Sequence, residues 1–430
     1  MKILAILLCS LLLLSCGNEG NSNSAIGPVF TEVPDDPETP GTNETIEQQK
    51  KFVLDVMSHY YLYYDQIPTI DLRNYDTPET VLANLVVNPP DRFSYIGNRV
   101  VQENFFEAGT YEGIGYGRII GDIDNTETVT YVFDDSAAGR ACPGSFSTQS
   151  CLRRGDVILS SSPSGNDISF EVDRDGSLFN VTLTTGIVKI NSVLTTDIQT
   201  RNGVAVGYLA LSNFLVPTIA ELDTAFADFN LNNIDELVLD LRYNGGGRVS
   251  TAQVLASYIA GTNGNGSDVT RLEWNALNTQ QNGIFPFLTR NNQLDLDRLY
   301  VLTLEGTCSA SELVINAIEG ISGAQVITVG QVTCGKPVGS VSFNFGDKVL
   351  QPITFSVVND LDNGDYFNGI EATCFAEDDT THAFSDPAER MYAGALFHIE
   401  NGSCEFMVTR PSSAKIPSST FNPNPMANLF

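Results

Sequence analysis

Four apolar segments in the second half of the chain limit most strongly the folds that this sequence can adopt. They are GVAVGYLAL (203–211), ELVLDL (236–241), RLYVLTL (298–304) and QVITVG (325–330). Stretches with a helical pattern lie between them, at residues 220–229 and 309–320. Strands that are apolar throughout are buried on both faces, and intervening helices supply the cover. The pattern predicts an α/β unit over residues 195–410 whose sheet has helices on both faces.

A small helical region is predicted before this unit, over residues 45–106. Its apolar residues, among them Phe52, Val56 and Tyr60, recur at helical spacing, and a second helix is expected over residues 78–85.

The pattern changes to short alternating strands over residues 107–194, as in TVTYVF (128–133) and FNVTLTT (179–185). Turns rich in Gly and Asp separate these strands, which predicts a compact β-rich domain. The last twenty residues, 411–430, have the composition of an unpacked tail. A chain of 430 residues is long enough for several domains.

The first residues have the composition of a bacterial export signal. Lys2 precedes an apolar run, Ile3 to Leu14, that is too short to span a bilayer. Residues 13–16, LLSC, resemble a lipobox and predict lipidation of Cys16. Residues 17–44 are polar and predict a disordered tether. We therefore expect a lipid anchor in the cell envelope, on the periplasmic side of the outer membrane, with secretion or an uncleaved anchor as alternatives.

The net charge of -29 restricts the partners of the chain. Nucleic acids and anionic membrane surfaces would repel it. We therefore expect no nucleic-acid partner, and we expect acidic substrates to be disfavoured.

Six cysteines follow the export signal, and an even number in an exported protein indicates disulfides. Sequence alone leaves the pairing open. Proximity within each predicted unit favours Cys142 with Cys151, Cys308 with Cys334, and Cys374 with Cys404. Zinc is the alternative, but no CxxC pair occurs and the only histidines are His59, His382 and His398, so we predict no metal.

Ser309 lies in TCSASE (307–312), where a helix is predicted to begin after the third apolar strand. Free backbone N–H groups and the positive end of the helix dipole can stabilise an oxyanion beside such a hydroxyl. The spacing of Ser309 and Glu312 also matches a capping box. Ser309 taken alone is therefore either a helix cap or a nucleophile.

Lys336, one of seven lysines in the chain, lies in TCGKPVG (333–339) directly after the fourth apolar strand. A lysine with an ordinary pKa is less than ~0.1% neutral at pH 7, so only a desolvated lysine acts as a base. The alternative is a lysine in a surface turn.

Three glycines follow the second apolar strand in LDLRYNGGGR (239–248). Glycines let the backbone approach a ligand closely, so Gly245 or Gly246 could supply one oxyanion donor and the Ala310 amide the other. The alternative is a flexible turn between a strand and a helix.

These three motifs, in this order, resemble those of the carboxy-terminal processing (tail-specific) serine proteases. The resemblance implies a Ser-Lys dyad of Ser309 and Lys336 that needs no metal or other cofactor. It also implies an α+β and α/β multidomain fold. That fold has a helical N-terminal region, a PDZ-like β domain and a crotonase/ClpP-like protease core.

The flanking segments extend the resemblance. EGIGYG (112–117) resembles the PDZ loop whose amides bind a peptide carboxylate, LRRGDVILS (152–160) resembles the end of that domain, and DRFSYI (91–96) is similar to part of the family's N-terminal region. The substrate-binding residues that this implies are Gly113, Ile114, Gly115 and Tyr116.

Two features depart from the family pattern. An insertion from Cys142 to Cys151 interrupts the PDZ-like stretch, and Ser340 stands where many relatives have a glutamine that orients the lysine. A bridge between Cys308 and Cys334 would fix the dyad, because these cysteines flank Ser309 and Lys336.

The expected function is that of a serine endopeptidase that cleaves unfolded or tail segments of exported polypeptides through an acyl-enzyme. The main alternative is a catalytically silent PDZ-containing lipoprotein that binds peptides or acts as a scaffold. A non-proteolytic hydrolase with a histidine base is a further alternative.

Overall fold

The computed structural model describes residues 45–121, 126–140 and 150–404. The predicted lipidation site Cys16, the tether at 17–44, Cys142 and the tail at 411–430 lie outside these ranges. None of the helices in the described ranges is long and apolar enough to cross a membrane.

The N-terminal region is mainly helical. Its elements are α1 (Ile46–Tyr60), 3₁₀ turns at Tyr64–Gln66 and Leu72–Asn74, α2 (Pro78–Leu85), β1 (Tyr95–Asn98), α3 (Arg99–Glu103) and a π-helical turn at Asn104–Ala108. Thr45 caps α1, because its hydroxyl accepts the Gln48 amide proton, and Thr77 caps α2 in the same way. Helix α2 spans the residues that the sequence predicts.

A β unit follows, over residues 110–189. Its elements are β2 (Thr110–Gly113), β3 (Tyr116–Ile120), β4 (Glu127–Val132), α4 (Ala137–Arg140), β5 (Val157–Ser164), β6 (Asp167–Arg174), β7 (Ser177–Thr184) and β8 (Gly186–Lys189). Strands β3 to β7 form an antiparallel sheet in sequence order, so β3 and β7 are its edges, and β2 pairs with β8. The alternating side chains Phe179, Val181 and Leu183 point into a separate hydrophobic cluster of this unit.

An α/β unit occupies the remaining described residues. Its elements are β9 (Val193–Arg201), β10 (Val204–Leu211), α5 (Thr218–Leu231), β11 (Glu236–Asp240), α6 (Val249–Ala260), a 3₁₀ turn at Gly261–Gly264, β12 (Asp268–Trp274), a 3₁₀ turn at Thr279–Gln281, β13 (Gly283–Pro286), β14 (Arg298–Thr303), α7 (Ala310–Glu319), β15 (Gln325–Gly330), β16 (Val338–Ser340), β17 (Phe343–Phe345), β18 (Lys348–Gln351), β19 (Ile353–Val358), β20 (Cys374–Phe375) and α8 (Arg390–Asn401).

The largest sheet has six strands in the order β20-β15-β14-β11-β10-β9, and only β9 is antiparallel to its neighbour. Side chains on one face, such as Leu239 and Val301, pack in a core that includes residues of α5, α6 and α7. Side chains on the other face, such as Val238 and Leu302, pack against Tyr392 of α8. The sheet is therefore covered on both faces, as its apolar strands predict.

The N-terminal region packs directly on the α/β unit. Phe52 and Phe93 belong to the same hydrophobic core as the main sheet. Strand β1 also pairs with β18, with Tyr95 opposite Gln351. This pairing makes β1 part of a three-stranded sheet, β1-β18-β17. A separate four-stranded sheet has the order β13-β12-β19-β16.

Three parallel strands, β11, β14 and β15, end at the same edge of the main sheet. The chain leaves them in three loops, which we call the glycine loop (244–247), the nucleophile turn (307–312) and the lysine loop (333–337). The second name refers to the role that the sequence predicts for Ser309. Loops at the carboxyl ends of parallel strands form the sites of many α/β folds. The three predicted motifs thus meet at one edge.

Candidate active site

Ser309 is the residue immediately before helix α7, and its backbone is strained. Its φ of 57° and ψ of -113° lie outside the regions that non-glycine residues usually adopt. The Ser309 carbonyl accepts the Leu313 amide proton at 2.8 Å, so the strained residue is fixed by the first helical turn. Such backbone conformations persist only where the surroundings stabilise them, and they are concentrated at functional sites.

Glu312 joins the nucleophile turn to the lysine loop. Its fully buried carboxylate accepts hydrogen bonds from the amides of Ser309 (2.9 Å), Lys336 (2.8 Å) and Gly335 (2.7 Å), and from the Thr333 hydroxyl (2.5 Å). Burial raises the pKa of Glu312, and these hydrogen bonds act in the opposite direction. The S-x-x-E motif points to Glu312 in the sequence, but it predicts only a helix cap and not the contacts with the lysine loop.

A disulfide joins the same two loops. Cys308, directly before Ser309, is bonded to Cys334, two residues before Lys336, with 5.2 Å between their Cα atoms. A second disulfide joins Cys374 to Cys404. Both pairs are those that proximity predicts, whereas the pairing of Cys142 with Cys151 lies partly outside the described residues and stays a prediction.

One group of side chains in the described residues has potential metal ligands close together. It consists of Cys308, Glu312 and Cys334. Its two sulfur atoms are already bonded to each other, so they are not thiolate ligands in this state.

Lys336 is half-buried, and its ammonium group faces an aromatic ring. The Lys336 Nζ atom lies 5.2 Å from the centroid of Phe93. Burial lowers the pKa of Lys336 to about 8, and the carboxylates of Asp91 and Glu312 partly oppose this shift. This is the direction that a general base requires.

The glycine loop lies against the nucleophile turn. A methyl group at Gly246, whose φ is 104°, would come within 2.8 Å of the Ser309 Cβ atom and 3.0 Å of the Ala310 nitrogen. The Gly246 amide donates to Asn244 Oδ1 at 2.9 Å, whereas Gly245 is exposed with open space around it. The Gly246 amide is therefore already used within the loop, and Gly245 better fits the role of an oxyanion donor.

The three histidines contact residues outside the three loops. His398 Nδ1 lies 3.2 Å from the Tyr300 hydroxyl, and burial lowers its pKa. His382 Nδ1 lies 2.8 Å from Asp379. The ring of His59 packs edge-on against Tyr60.

The predicted peptide-binding residues lie in the β unit, where β2 leads into β3. The Ile114 carbonyl accepts from the Ala138 amide at 3.0 Å, and the Gly115 carbonyl accepts from the amide of Phe133 at 2.9 Å and the hydroxyl of Ser136 at 3.1 Å. Two carbonyls of this loop are thus fixed by the chain around α4. Gly113 ends β2, and Tyr116 begins the edge strand β3.

Arg154 connects the β unit to the glycine loop, a role that the sequence did not reveal. Its guanidinium donates to the Tyr243 hydroxyl and to the carbonyls of Thr130, Asp379 and His382, at 2.8 to 3.0 Å. Tyr243 directly precedes the glycine loop.

The neighbouring Arg242 is fully buried. It forms a two-pronged ion pair with Glu389 at 2.7 and 2.9 Å and also binds Asp240 and Asp378. A buried ionic network therefore supports the base of the glycine loop.

Comparison with known proteins agrees with this architecture. The sequence model of Peptidase family S41 matches residues 205–374, and that of the Peptidase S41 N-terminal domain matches residues 48–95. Together they cover just over half of the chain. The chain belongs to peptidase family S41. The family match includes the glycine loop, the nucleophile turn and the lysine loop, and the N-terminal match includes Phe93.

Individual members of family S41 resemble the chain to different degrees. A carboxyl-terminal-processing protease of Synechocystis sp. is 27% identical over 231 residues, which are 52% of this chain and 46% of the relative. The chain therefore matches about half the length of this curated relative.

Solved structures resemble the fold of this S41 chain. A putative S41 protease from Bacteroides fragilis has a TM-score of 0.66 at 23% identity, over 84% of this chain and 99% of that one. The photosystem II D1 C-terminal processing protease has a TM-score of 0.49 at 18% identity, over 78% of this chain and 94% of that one. At 23% identity, the similarity to the Bacteroides fragilis structure concerns the fold alone.

Proposed function

We propose that this S41 chain is a serine endopeptidase that cleaves unfolded or tail segments of exported polypeptides, with Ser309 as nucleophile and Lys336 as general base. The observation that carries the proposal is the shared carboxylate of Glu312. It binds the backbone amides of both residues, so the two loops are held together at a single side chain. The strained backbone of Ser309 and the lowered pKa of Lys336 support the same roles.

The proposed reaction is acyl transfer. With a pKa of about 8, roughly a tenth of Lys336 is neutral at pH 7 and can accept the Ser309 proton. The Ser309 oxygen then attacks the peptide carbonyl, and the amides of Ala310 and Gly245 stabilise the oxyanion. Lys336 returns the proton to the leaving amine. Water, deprotonated by Lys336, finally hydrolyses the ester and regenerates Ser309.

The β unit suggests how a substrate is selected. Among the residues that the structure describes, strand β3 is an edge of the five-stranded sheet, and it begins at Tyr116, directly after the loop at Gly113–Gly115. An extended peptide could add to β3 as a further strand, with its carboxylate at that loop. We propose that this PDZ-like unit presents exported polypeptides to the site, and that the lipid anchor at Cys16 keeps the enzyme at the envelope.

The test compares cleavage of casein by the wild type, Ser309→Ala and Lys336→Ala. Both variants should lose activity by at least about a thousandfold, because a nucleophile and its base act as a unit. Lys348→Ala is the matched control, since Lys348 pairs with Glu79 outside the three loops. A folded wild type that cleaves nothing favours the scaffold alternative, and full activity of Lys336→Ala excludes the dyad.

A further inference from the structure

Residue 340 is a serine in this chain, whereas many relatives have a glutamine there that orients the lysine. Another group must therefore orient Lys336. Ser340 is the last residue of β16, and its Cα partner in the neighbouring strand is Ile353. The resemblance to relatives assigns the orienting role to a glutamine at this position. The structure places another part of the chain beside Lys336, namely the N-terminal segment, residues 91–94.

Phe93 supplies a rigid surface for the Lys336 side chain. Its ring is only 1% exposed, and the Lys336 Nζ atom lies 5.2 Å from its centroid. This is within the range of about 6 Å over which an aromatic face attracts a cation. The ring also removes water from one side of the ammonium group, and loss of water is the main cause of the low Lys336 pKa.

Arg92 binds the backbone of the lysine loop. Its guanidinium donates a hydrogen bond to the carbonyl of Cys334, two residues before Lys336. The same guanidinium carbon lies 5.2 Å from the Phe93 centroid. One short segment therefore contacts both the side chain of Lys336 and the backbone that carries it.

Asp91 fixes the shape of the N-terminal segment. Its buried carboxylate accepts from the amides of Phe93 (2.7 Å) and Ser94 (3.0 Å), and from the Ser94 hydroxyl (2.5 Å). The Ser94 hydroxyl in turn accepts the amide proton of Ile353, which lies on β19. The segment is thus anchored to the sheet that also contains β16, so it can hold Lys336 at a defined position.

We propose that Phe93 and Arg92 are positioning residues for Lys336, and that the N-terminal region thereby completes the catalytic site of the α/β unit. The inference rests on the proposed function, because it assigns how the general base of that reaction is held. The charged and titratable groups around Lys336 are the carboxylates of Asp91 and Glu312 and the guanidinium of Arg92, with the Tyr366 phenol beside Glu312.

The first test is Phe93→Leu, with Phe226→Leu as its matched control. Phe226 is also fully buried, but it packs on Phe229 and Tyr258 in helices α5 and α6. Both variants lose the same ring and should lose similar thermal stability. Only Phe93→Leu should lower kcat by about tenfold or more with KM nearly unchanged, because a small displacement of a catalytic group has a large effect on rate.

A second measurement reports the state of the Lys336 amine and does not depend on catalysis. Trace acetylation of the wild type and both variants between pH 6 and 11, followed by mass spectrometry of the peptide that contains Lys336, reports its pKa and its accessibility. In Phe93→Leu, water enters the space left by the ring, so the midpoint should rise from near 8 towards the ordinary lysine value. In Phe226→Leu the midpoint should stay within about 0.3 pH units.

Arg92 is tested by a matched pair of substitutions. Arg92→Gln can still donate a hydrogen bond to the Cys334 carbonyl, whereas Arg92→Met cannot. We expect Arg92→Gln to keep a several-fold higher kcat than Arg92→Met.

The outcomes separate the inference from the proposed function. A folded Phe93→Leu with the wild-type kcat and acetylation midpoint overturns the inference but leaves the dyad intact. A wild type without proteolysis overturns the proposed function. In that case the acetylation midpoints still decide whether Phe93 holds Lys336, because they do not depend on turnover.

Discussion

The Tyr243 hydroxyl accepts a 2.9 Å hydrogen bond from Arg154 Nη1. Arg154 comes from the β unit, and Tyr243 directly precedes the glycine loop of the α/β unit. The Tyr243 hydroxyl also donates to Asp378 at 2.5 Å, and Asp378 in turn binds Arg242. The orientation of the β unit and the conformation of the glycine loop are therefore linked through one phenol.

Replacing Arg154 with leucine should loosen the glycine loop. The Arg154 side chain is only 10% exposed, so its removal leaves its hydrogen-bond partners unsatisfied, at a cost of about 3 kcal/mol. Arg174→Leu is the control, because Arg174 is buried and pairs with Asp156 inside the β unit. Both variants should lose stability, but only Arg154→Leu should reduce kcat for a short peptide and speed hydrogen exchange in residues 244–247. Equal kcat values for the two variants would show that the link has no role in turnover.

Replacing Gly246 with alanine should abolish activity. The new methyl group would lie 2.8 Å from both the Cys308 carbonyl oxygen and the Ser309 Cβ atom, and the φ of 104° is unfavourable for alanine. The nucleophile turn must therefore move. Gly186→Ala is the control, because that position has open space and an ordinary φ. Casein cleavage and thermal unfolding measure both effects, and an active Gly246→Ala would contradict the close contact.

The two disulfides should contribute equally to stability but unequally to activity. They close loops of similar length, with separations of 26 and 30 residues, so each should stabilise the fold by about 3 to 4 kcal/mol. Replacing Cys308 and Cys334 with serine should also lower kcat, because this bridge joins the loops of Ser309 and Lys336. Replacing Cys374 and Cys404 should leave kcat per folded molecule nearly unchanged. Full activity of the first double variant would remove the proposed role of its bridge.

The rate of peptide cleavage should increase with pH. Burial lowers the pKa of Lys336 to about 8, and in the proposed mechanism only the neutral amine accepts the Ser309 proton, so kcat/KM should rise from pH 6 to 9 with a midpoint near 8. Because the folded-state pKa is below the unfolded value, the unfolded chain binds more protons between about pH 8 and 10, and the contribution of Lys336 to stability also rises there. Lys336→Arg should be inactive at every pH, since a guanidinium stays protonated. A flat profile with an uncharged substrate would be inconsistent with a lysine base.

Glu312→Gln should separate the nucleophile turn from the lysine loop. An amide has one acceptor oxygen, so its NH₂ group would face donors that the carboxylate now binds, at a cost of roughly 1 to 3 kcal/mol. We expect a lower melting temperature and a fall in kcat of about tenfold or more. Glu319→Gln makes the same change on the exposed side of the same helix and should alter neither quantity. If Glu312→Gln lost stability but no activity, Glu312 would be only structural.

The sequence by itself determined the elements and the motifs. The apolar strands, helix α2 and the position of Ser309 at the start of α7 follow from patterns within short stretches. Such patterns are reliable because periodicity, capping and spacing are properties of neighbouring residues. Proximity along the chain favoured the pairing of Cys308 with Cys334, but the sequence left the pairing open until the structure showed it.

Only the tertiary structure decided how these motifs are connected. Arg92 contacts Cys334 across a separation of 242 residues, and Arg154 contacts Tyr243 across 89. The tertiary structure also showed that Glu312 binds the lysine loop and that the Gly246 amide already donates a hydrogen bond to Asn244. These contacts depend on how whole elements pack, and no local pattern in the chain encodes which distant side chains will meet.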